Sequence, residues 1–314
     1  MPGEFDIIRD HFLREVRDET LRLGIGDDGA VIRPRPDHDL VIVTDTLVRG
    51  RHFPANLPAG DIGWRALAVN LSDVAAMAAS PRFAFLNLTL EAADDAWLRE
   101  FSEGFFALAA TSGTSLIGGD TTRGPLSVTV TLIAEVAHDL ACSRSGARAG
   151  DLICVTGTPG DAAAGLELLQ AGEDREHPLV QRFLRPVPRL ACGRALAGVA
   201  SAMIDVSDGL LADLGHVLEA SGAGACVELA RLPVSSALME YTSNAEEYVL
   251  AGGDDYELCF TVPESRRDIL EALEGEATVI GRVHAEPGLK VVDADGRERR
   301  FQRRGWDHFG GHDD

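Results

Sequence analysis

Six short acidic motifs, spread over more than two hundred residues, constrain this chain more than any other sequence feature. They are Gly26-Asp27-Asp28, Thr44-Asp45-Thr46, Asn70-Leu71-Ser72-Asp73, Gly118-Gly119-Asp120, Asp205-Val206-Ser207-Asp208-Gly209 and Gly252-Gly253-Asp254-Asp255. Most of them place an aspartate at the end of a predicted strand, or beside glycine, serine or threonine. Clustered carboxylates repel one another and resist burial, and divalent cations relieve both problems. A fold that gathers the motifs would therefore form a multi-metal phosphate site from distant segments.

Length and charge narrow the class of protein. A chain of 314 residues exceeds what one hydrophobic core usually serves, so two domains are expected. The net charge of −21 argues against nucleic acid or an anionic membrane as a partner, since both need basic surface. Five scattered cysteines without a C-x-x-C pair, and no apolar run of spanning length, predict a soluble cytoplasmic protein.

Lysine is nearly absent from the chain, and Lys290 is the only one. The chain therefore lacks the lysine of a G-x-x-x-x-G-K-[ST] loop, and it lacks a lysine that could anchor phosphate in its first 289 residues. If this chain uses ATP, it does so by neither common lysine-based scheme.

The first part of the chain alternates predicted strands and helices. The β-branched run Asp39–Thr44 predicts a buried strand that ends at Asp45. The elements expected after it are helix Asp61–Ala79, strand Phe83–Leu90, helix Trp97–Thr111 and strand Ser127–Val136. This order predicts a compact α/β domain over residues 1–137.

A second α/β domain is expected over residues 138–314, after a polar junction loop at Ser143–Asp151. Its predicted helices are Asp161–Ala171, Arg189–Ala200 and Gly209–Ala220. Its predicted strands are Leu152–Thr156, Ala202–Ile204, Ala225–Leu229, Tyr256–Val262, Thr278–Val283 and Leu289–Val292. The segment between the first two helices is predicted to be a charged loop.

Asp73 is the strongest single candidate for a functional residue. It is the only charged residue from Ala66 to Pro81, in a predicted helix that is apolar nearly all round and so buried. An isolated carboxylate there would cost several kcal/mol or shift its pKa strongly. Asn70 shares its helical stripe. A structural ion pair with an arginine is the alternative explanation.

Other candidates lie where strands are predicted to end. In open α/β sheets ligands bind at such ends, which favours Asp45. Gly118-Gly119-Asp120 follows an apolar pair, and two glycines let backbone N–H groups approach a phosphate. A turn or a helix cap would also explain Asp45, and a plain turn would explain the glycine motif equally well.

Loop residues supply weaker candidates. Ser207 and Asp208 precede a predicted helix, whose start favours anions, although either could simply cap it. Arg144 could bind phosphate bidentately. Gly157-Thr158-Pro159-Gly160 resembles a phosphate loop only weakly. His52 is the histidine nearest the Asp45 motif, and without an H-x-x-x-H pair a zinc site is not indicated.

Together these motifs resemble the thiamine-monophosphate kinase family, in order from Glu4 to Phe309. The matching runs are Gly24-Ile25-Gly26-Asp27-Asp28-Gly29-Ala30, Thr44-Asp45-Thr46-Leu47-Val48 with Gly50, His52 and Phe53, Ala68-Val69-Asn70-Leu71-Ser72-Asp73, Gly118-Gly119-Asp120-Thr121-Thr122-Arg123-Gly124-Pro125, Arg144-Ser145-Gly146-Ala147, Asp205-Val206-Ser207-Asp208-Gly209-Leu210, and Gly252-Gly253 followed by Asp255-Tyr256-Glu257-Leu258.

The resemblance implies a two-domain aminoimidazole ribonucleotide synthetase-like fold of the α/β (α+β) class. The N-terminal domain would bind ATP and metal and pair in a homodimer, and the C-terminal domain would complete the active site. The implied reaction is the phosphorylation of thiamine monophosphate by ATP, the last step of thiamine diphosphate biosynthesis. The transfer would be direct and in line, with several Mg²⁺ ions.

The resemblance also implies residue roles. The implied metal ligands are Asp28, Thr44, Asp45, Asp73, Asp120, Asp205 and Asp208. The implied ATP contacts are Gly119, Asp120, Arg144 and Ser207, and the implied substrate contacts are His52, Asp254 and Trp306. No general base is expected, because the attacking atom is a phosphate oxygen.

Two positions depart from the family's usual pattern. Asp254 stands where glutamate is common, and its shorter side chain would contact substrate through water or shift it slightly. Trp306 stands where tyrosine is common. The indole should still stack on a cationic thiazolium. Neither departure changes the expected reaction.

Two alternative functions stay open at this point. One is another enzyme of the same superfamily, such as aminoimidazole ribonucleotide synthetase or a hydrogenase-maturation protein. Selenophosphate synthesis is disfavoured because no cysteine precedes Cys142. The other is a non-catalytic protein that binds Mg-nucleotide or thiamine diphosphate.

Overall fold

The structure of the chain is a computed structural model that describes residues 3–273 and 275–301. The described chain divides into two compact units. Unit 1 runs to Val74 and resumes over Ala79–Ala141, while unit 2 holds Ala75–Ala78 and the described residues from Cys142 onward. Trp306 lies outside the described residues.

Unit 1 combines a four-stranded sheet with two long helices. Its helices are α1 Glu4–Ile7, α2 Ala59–Ala76, of which the last two residues belong to unit 2, and α3 Asp95–Ser112, with a π-helical turn at Ile8–Phe12. Its strands are β1 Leu21–Leu23, β2 Val31–Ile32, β3 His38–Val48, β4 Ser80–Leu90, β5 Ser115–Arg123 and β6 Ser127–Ala137. The strand order in the main sheet is β3-β6-β4-β5, in which β4 and β5 run parallel and the other pairs antiparallel.

The two long helices pack backbone to backbone. A Cβ placed on Gly104 of α3 would lie 1.8 Å from the carbonyl oxygen of Gly60, and one on Gly63 of α2 would lie 2.1 Å from that of Phe101. Only glycine fits such a contact. The tight crossing fixes the position of α2, the helix that carries Asp73.

The predicted ends of two elements in unit 1 were wrong. Strand β3 does not stop before Asp45 but continues to Val48, because its partner β6 pairs with it along its whole length. Helix α2 ends at Ala76 rather than Ala79, and Ala78 lies in the left-handed region with φ of 58°. The apolar periodicity of the sequence continues past Ala76 and so gives no sign that the helix ends there.

Unit 2 is a mixed sheet with helices. Its helices are α4 Asp161–Ala171, α5 Pro178–Leu184, α6 Leu190–Ala195, α7 Leu210–Ser221, α8 Ser236–Tyr241, α9 Ala245–Ala251 and α10 Ile269–Ala272. Its strands are β7 Leu152–Thr156, β8 Ala202–Val206, β9 Gly224–Glu228, β10 Glu257–Val262, β11 Ala277–His284, β12 Gly288–Val292 and β13 Glu298–Arg299. The strand order is β13-β12-β9-β11-β7-β10-β8.

Three strands of unit 2 are buried at every position, namely β7, β8 and β10. Continuous apolar runs of this kind are typical of strands covered on both faces. The predicted charged loop before Arg189 is wrong in part, since it contains α5, in which Leu179, Val180 and Phe183 are buried. Across residues 3–273 and 275–301, no helix is long and apolar enough to cross a membrane.

Candidate active site

Unit 1 contains a cavity of about 610 Å³ between two glycine-rich segments. Residues 24–30 and 116–121 form most of its lining, and Phe85–Asn87 and apolar residues of the N-terminal segment complete it. The cavity therefore brings Asp28, Gly119 and Asp120 together although about ninety residues separate them in sequence.

The glycine pair before Asp120 lies inside β5, and not after a strand as predicted. A Cβ on Gly119, whose φ is 140°, would sit 1.9 Å from the carbonyl oxygen of Leu86 in β4. The pairing of β4 with β5 also shifts register at Ile117, the mark of a β-bulge. The glycines thus let β5 pair closely with β4, and the bulge re-aims the side chains that follow, including Asp120.

The Thr44-Asp45-Thr46 motif places its side chains on opposite faces of the sheet. Thr44 bonds to Thr131 on β6 with 2.9 Å between the hydroxyl oxygens, and Thr46 bonds to Thr129 at 2.8 Å. Thr46 of β3 is directly opposite Thr129 of β6, which is opposite Asn87 of β4. Asn87 is in turn opposite Asp120 of β5. Because directly opposed residues share a face, the side chains of Thr46 and Asp120 lie on the same face.

Asp45 lies on the other face, which also carries the buried Val41 and Leu47. Its carboxylate is nevertheless exposed, near the end of β3. His52 follows in the turn after the strand, and its Nδ1 accepts a hydrogen bond of 3.0 Å from the Val48 N–H. The neutral ring therefore carries its proton on Nε2.

Helix α2 brings an unusual polar pair into unit 1. Asn70 is fully buried, and its side-chain nitrogen donates to the Ala66 carbonyl at 3.0 Å. Its Oδ1 has no hydrogen-bond partner in the described part of the chain. Such a buried acceptor costs about 1–3 kcal/mol unless a donor or a cation satisfies it. Asp73, one turn further along, is half-buried.

No group of three or more His, Cys, Asp or Glu side chains in the described ranges could by itself hold a metal ion. Mg²⁺ does not require such a group, since it commonly uses one or two carboxylates together with waters and substrate phosphates. The acidic and amide oxygens of unit 1 are the hard donors that this ion prefers. The donor set fits Mg²⁺ in chemistry.

In unit 2, the Asp205-Val206-Ser207-Asp208-Gly209 motif joins β8 to α7. Asp205 is buried at the end of the strand, and Ser207 and Asp208 are half-buried in the loop. The loop is held by Asp213, whose Oδ2 accepts the N–H groups of Ser207, Asp208 and Gly209, each at 3.1 Å. Burial, and then the charges of Asp205 and Asp208, raise the pKa of Asp213 to about 7.

The Gly252-Gly253-Asp254-Asp255 motif packs against that loop. The Asp254 N–H donates to the Ser207 carbonyl at 2.8 Å, and a Cβ on Gly253 would lie 2.6 Å from the same oxygen. Asp254 and Tyr256 have φ of 69° and 54°, and non-glycine residues in such conformations cost about 1–3 kcal/mol each. The fold thus brings Ser207 and Asp254 together and tolerates strain to do so.

Gly157-Thr158-Pro159-Gly160 does not offer a phosphate loop. The Gly160 and Ala162 N–H groups donate to the two oxygens of Asp255, at 2.7 and 3.1 Å. This carboxylate is fully buried and already occupies the place that a phosphate would take at the start of α4. The weak sequence indication at this loop is therefore wrong.

Arg144 lies in an exposed loop whose backbone is fixed from the C-terminal end of α7. The Ser221 hydroxyl oxygen accepts the N–H groups of Gly146 and Ala147, at 3.2 and 3.1 Å. Gly146 has φ of 125°, and a Cβ there would lie 2.3 Å from the Ser201 carbonyl oxygen. The loop is therefore ordered, while the guanidinium of Arg144 stays on its exposed side.

Among the buried acids of unit 2 that the sequence analysis did not name as separate candidates, Asp213, Asp255 and Glu257 hold the loops and strands described here. Glu257 accepts two hydrogen bonds from Arg189, both at 2.6 Å, and further bonds from Arg182 and Thr156. An acid inside an otherwise apolar run, as at the start of β10, is the signal that could have identified Glu257. The hydrogen bonds between Asp213 and the loop before it have no comparable signal in the sequence.

Both halves of the chain match known domain families. The family described as AIR synthase related protein, N-terminal domain, matches residues 26–148, and the corresponding C-terminal domain family matches residues 148–294. The acidic motifs from Asp28 to Asp120 therefore lie in the N-terminal family domain, and those from Asp205 to Asp255 lie in the C-terminal one.

Full-length relatives narrow the family further. The chain is 47% identical to thiamine-monophosphate kinase of Salmonella typhimurium, over 98% of each chain. A crystal structure of thiamine-monophosphate kinase from Stenotrophomonas maltophilia has a TM-score of 0.84 and 45% identity, over 94% of this chain and 96% of that one. AaThiL complexed with AMPPCP and TMP has a TM-score of 0.80 and 33% identity, over 88% and 89%. The chain belongs to the thiamine-monophosphate kinase family.

Proposed function

We propose that this chain transfers the terminal phosphoryl group of ATP to thiamine monophosphate, giving thiamine diphosphate and ADP. The observation that carries the proposal is the cavity of unit 1, where glycine-rich backbone meets the carboxylates of Asp28 and Asp120. Backbone that closely approaches a ligand, beside acids that can take a cation, suits the polyphosphate of a nucleotide. Family membership supplies the acceptor, and the scattered free cysteines favour a cytoplasmic enzyme.

Phosphoryl transfer needs little covalent chemistry from the protein, which must hold donor and acceptor in line and stabilise charge. We assign Gly119, Asp120, Arg144 and Ser207 to ATP. His52 and Asp254 are assigned to thiamine monophosphate, together with Trp306 outside the described residues. The attacking atom is an ionised phosphate oxygen, so no side chain has to remove a proton from it.

We also propose that the chain binds several Mg²⁺ ions. The proposed ligands are Asp28, Thr44, Asp45, Asp73 and Asp120 in residues 1–137, and Asp205 and Asp208 in residues 138–314. The oxygen-only donor set and the unsatisfied, buried Oδ1 of Asn70 near Asp73 support this assignment. When bound, the ions neutralise charge on the transferring group and orient it. Exposed Asp45 and half-buried Asp73 are accessible enough to bind hydrated ions.

An assay with the purified full-length chain tests the function. With ATP, Mg²⁺ and thiamine monophosphate, we expect equal amounts of thiamine diphosphate and ADP, separated by chromatography. Excess EDTA should abolish the reaction and added Mg²⁺ should restore it. ADP release without thiamine diphosphate, or no turnover at all, would contradict the proposal.

We further propose a homodimer formed through residues 1–137. The strands predicted at Phe83–Leu90 and Ser127–Val136 are β4 and β6, which are inner strands of the sheet and have no free edge. The edge strand β3 instead leaves Leu40, Ile42 and Val48 exposed, by 42, 64 and 37%. These three side chains project from one face of β3, and a second copy that packs on this exposed apolar surface would cover it.

Light scattering on the wild-type chain is expected to give about twice the monomer mass of 33.5 kDa at micromolar concentration. Ile42→Glu should shift the protein toward the monomer, because it places a charge in the buried interface. Met239→Glu is the matched control, since Met239 of unit 2 is equally exposed, at 60%. A wild-type mass near 33.5 kDa would contradict the dimer.

A further inference from the structure

Asp213 lies outside every residue role assigned above, yet it makes an unusual set of contacts. One carboxylate oxygen accepts three consecutive backbone N–H groups, those of Ser207, Asp208 and Gly209, each at 3.1 Å. The side chain is 2% exposed and belongs to the first turn of α7. Three convergent N–H groups at a helix start form a concave anion site, and here the chain's own carboxylate fills it.

That contact changes how the loop can meet a phosphate. The backbone N–H groups of Ser207, Asp208 and Gly209 are engaged by Asp213, so these three groups do not themselves face a bound anion. The side chains of Ser207 and Asp208 remain as the groups of this loop that can contact a nucleotide or its metal ion. Their position depends on the backbone that Asp213 holds.

The opposite side of the loop is fixed as well. The Val206 and Ser207 carbonyls accept the N–H groups of Tyr256 and Asp254, both at 2.8 Å. Gly209 has φ of 123°, and a Cβ there would lie 3.0 Å from the backbone of Ala251. The loop is therefore held between Asp213 on its donor side and the Asp254 segment on its acceptor side.

We propose that Asp213 is a positioning residue for phosphoryl transfer, which holds the Ser207–Gly209 loop in the conformation that contacts the nucleotide. The inference rests on the proposed function of the chain. Asp213 touches no substrate itself and acts through the loop backbone. Three hydrogen bonds to one oxygen suit the role, because they hold three successive residues of the loop backbone.

Two variants test the proposal against a purely structural role. Asp213→Ala removes the acceptor, and we expect kcat/KM for ATP to fall by roughly 30-fold or more, since misplaced contacts can cost about 100-fold. Asp213→Asn keeps an oxygen acceptor in place, but its amide can also turn an NH2 group toward the three donors, so it should recover most of that loss and remain about 3- to 10-fold below wild type. AMPPCP binding by calorimetry should weaken in the same order.

Asp161→Ala is the matched control. Asp161 is also a buried aspartate in the first turn of a unit 2 helix, but it accepts the hydroxyls of Thr158 and Ser235 instead of a loop backbone. It should lower the melting temperature and leave kcat/KM for ATP within about twofold of wild type at temperatures where the protein is folded.

The outcomes separate this inference from the proposed function. If wild-type protein makes no thiamine diphosphate, the proposed function fails, and the AMPPCP affinity of Asp213→Ala relative to wild type then decides the positioning role alone. If wild type is active and folded Asp213→Ala matches it in kcat/KM and in AMPPCP affinity, the positioning role is overturned. Should Asp213→Ala not fold, Asp213→Asn decides, because wild-type kinetics in that variant overturn the proposal and a threefold or larger loss supports it.

Discussion

Replacing Asp45 or Asp73 by asparagine is expected to lower kcat at least about 100-fold while the protein stays folded. Asparagine preserves the shape of the side chain and removes its charge. Each substitution would therefore take one anionic ligand from the proposed ion cluster and leave the phosphoryl charge less neutralised. Thiamine diphosphate formation at saturating Mg²⁺ measures the effect, and circular dichroism checks the fold.

Asp39→Asn is the matched control for Asp45→Asn. Asp39 lies on the same strand and the same face, but at the far end, where it pairs with His138 at 2.9 Å. Its loss should leave kcat at the wild-type value. Near-wild-type turnover in both Asp45→Asn and Asp73→Asn would show that neither carboxylate takes part in binding ions needed for the reaction.

Glu257→Ala is expected to lower the free energy of unfolding by about 3–5 kcal/mol, the usual effect of removing one partner from a buried ion pair. Glu257 is fully buried, and the variant would leave the guanidiniums of Arg182 and Arg189 without their acceptor. Thr156 would also lose the oxygen to which it donates. Urea unfolding followed by circular dichroism measures the change.

Glu264→Ala is the control, because Glu264 bonds to Arg267 and Arg282 at the surface. Exposed ion pairs contribute little, so its unfolding midpoint should match the wild type. A Glu257→Ala midpoint equal to that of the control would mean that the buried cluster relaxes or admits water.

The same cluster predicts a pH dependence. Burial raises the pKa of Glu257, but the hydrogen bonds from Arg189 and the charge of Arg182 outweigh it, so the pKa lies below its ordinary value. A carboxyl whose pKa is lowered on folding stabilises the protein above its unfolded-state pKa. The stability difference between wild type and Glu257→Ala should therefore shrink as the pH falls below the ordinary glutamate range.

Local periodicity in the sequence determined many of the elements. Strand β7 and helix α4 have the bounds that the sequence predicted, because each is a regular apolar pattern ended by turn residues. The six acidic motifs also identified the family, since long runs of specific residue types carry chemistry without reference to the fold. The two family domains that match residues 26–148 and 148–294 confirm the expected two-domain α/β architecture.

Only the tertiary structure determined where strands end and which strands lie inside the sheet, because both depend on the strands they pair with. β3 continues through Asp45 because β6 pairs with it to Val48, and β4 and β6 became inner strands because β3 and β5 lie outside them. No local pattern encodes either fact.

The roles of the buried acids were decided in the same way. Asp255 takes the N–H groups of Gly160 and Ala162 from across the unit, and Asp213 takes those of its own preceding loop. A sequence specifies which side chains carry charge, but which donors satisfy them depends on backbone that only the folded chain brings within hydrogen-bonding distance. The glycines of β5 follow the same rule, since a Cβ on Gly119 would clash only with a strand that the fold places beside it.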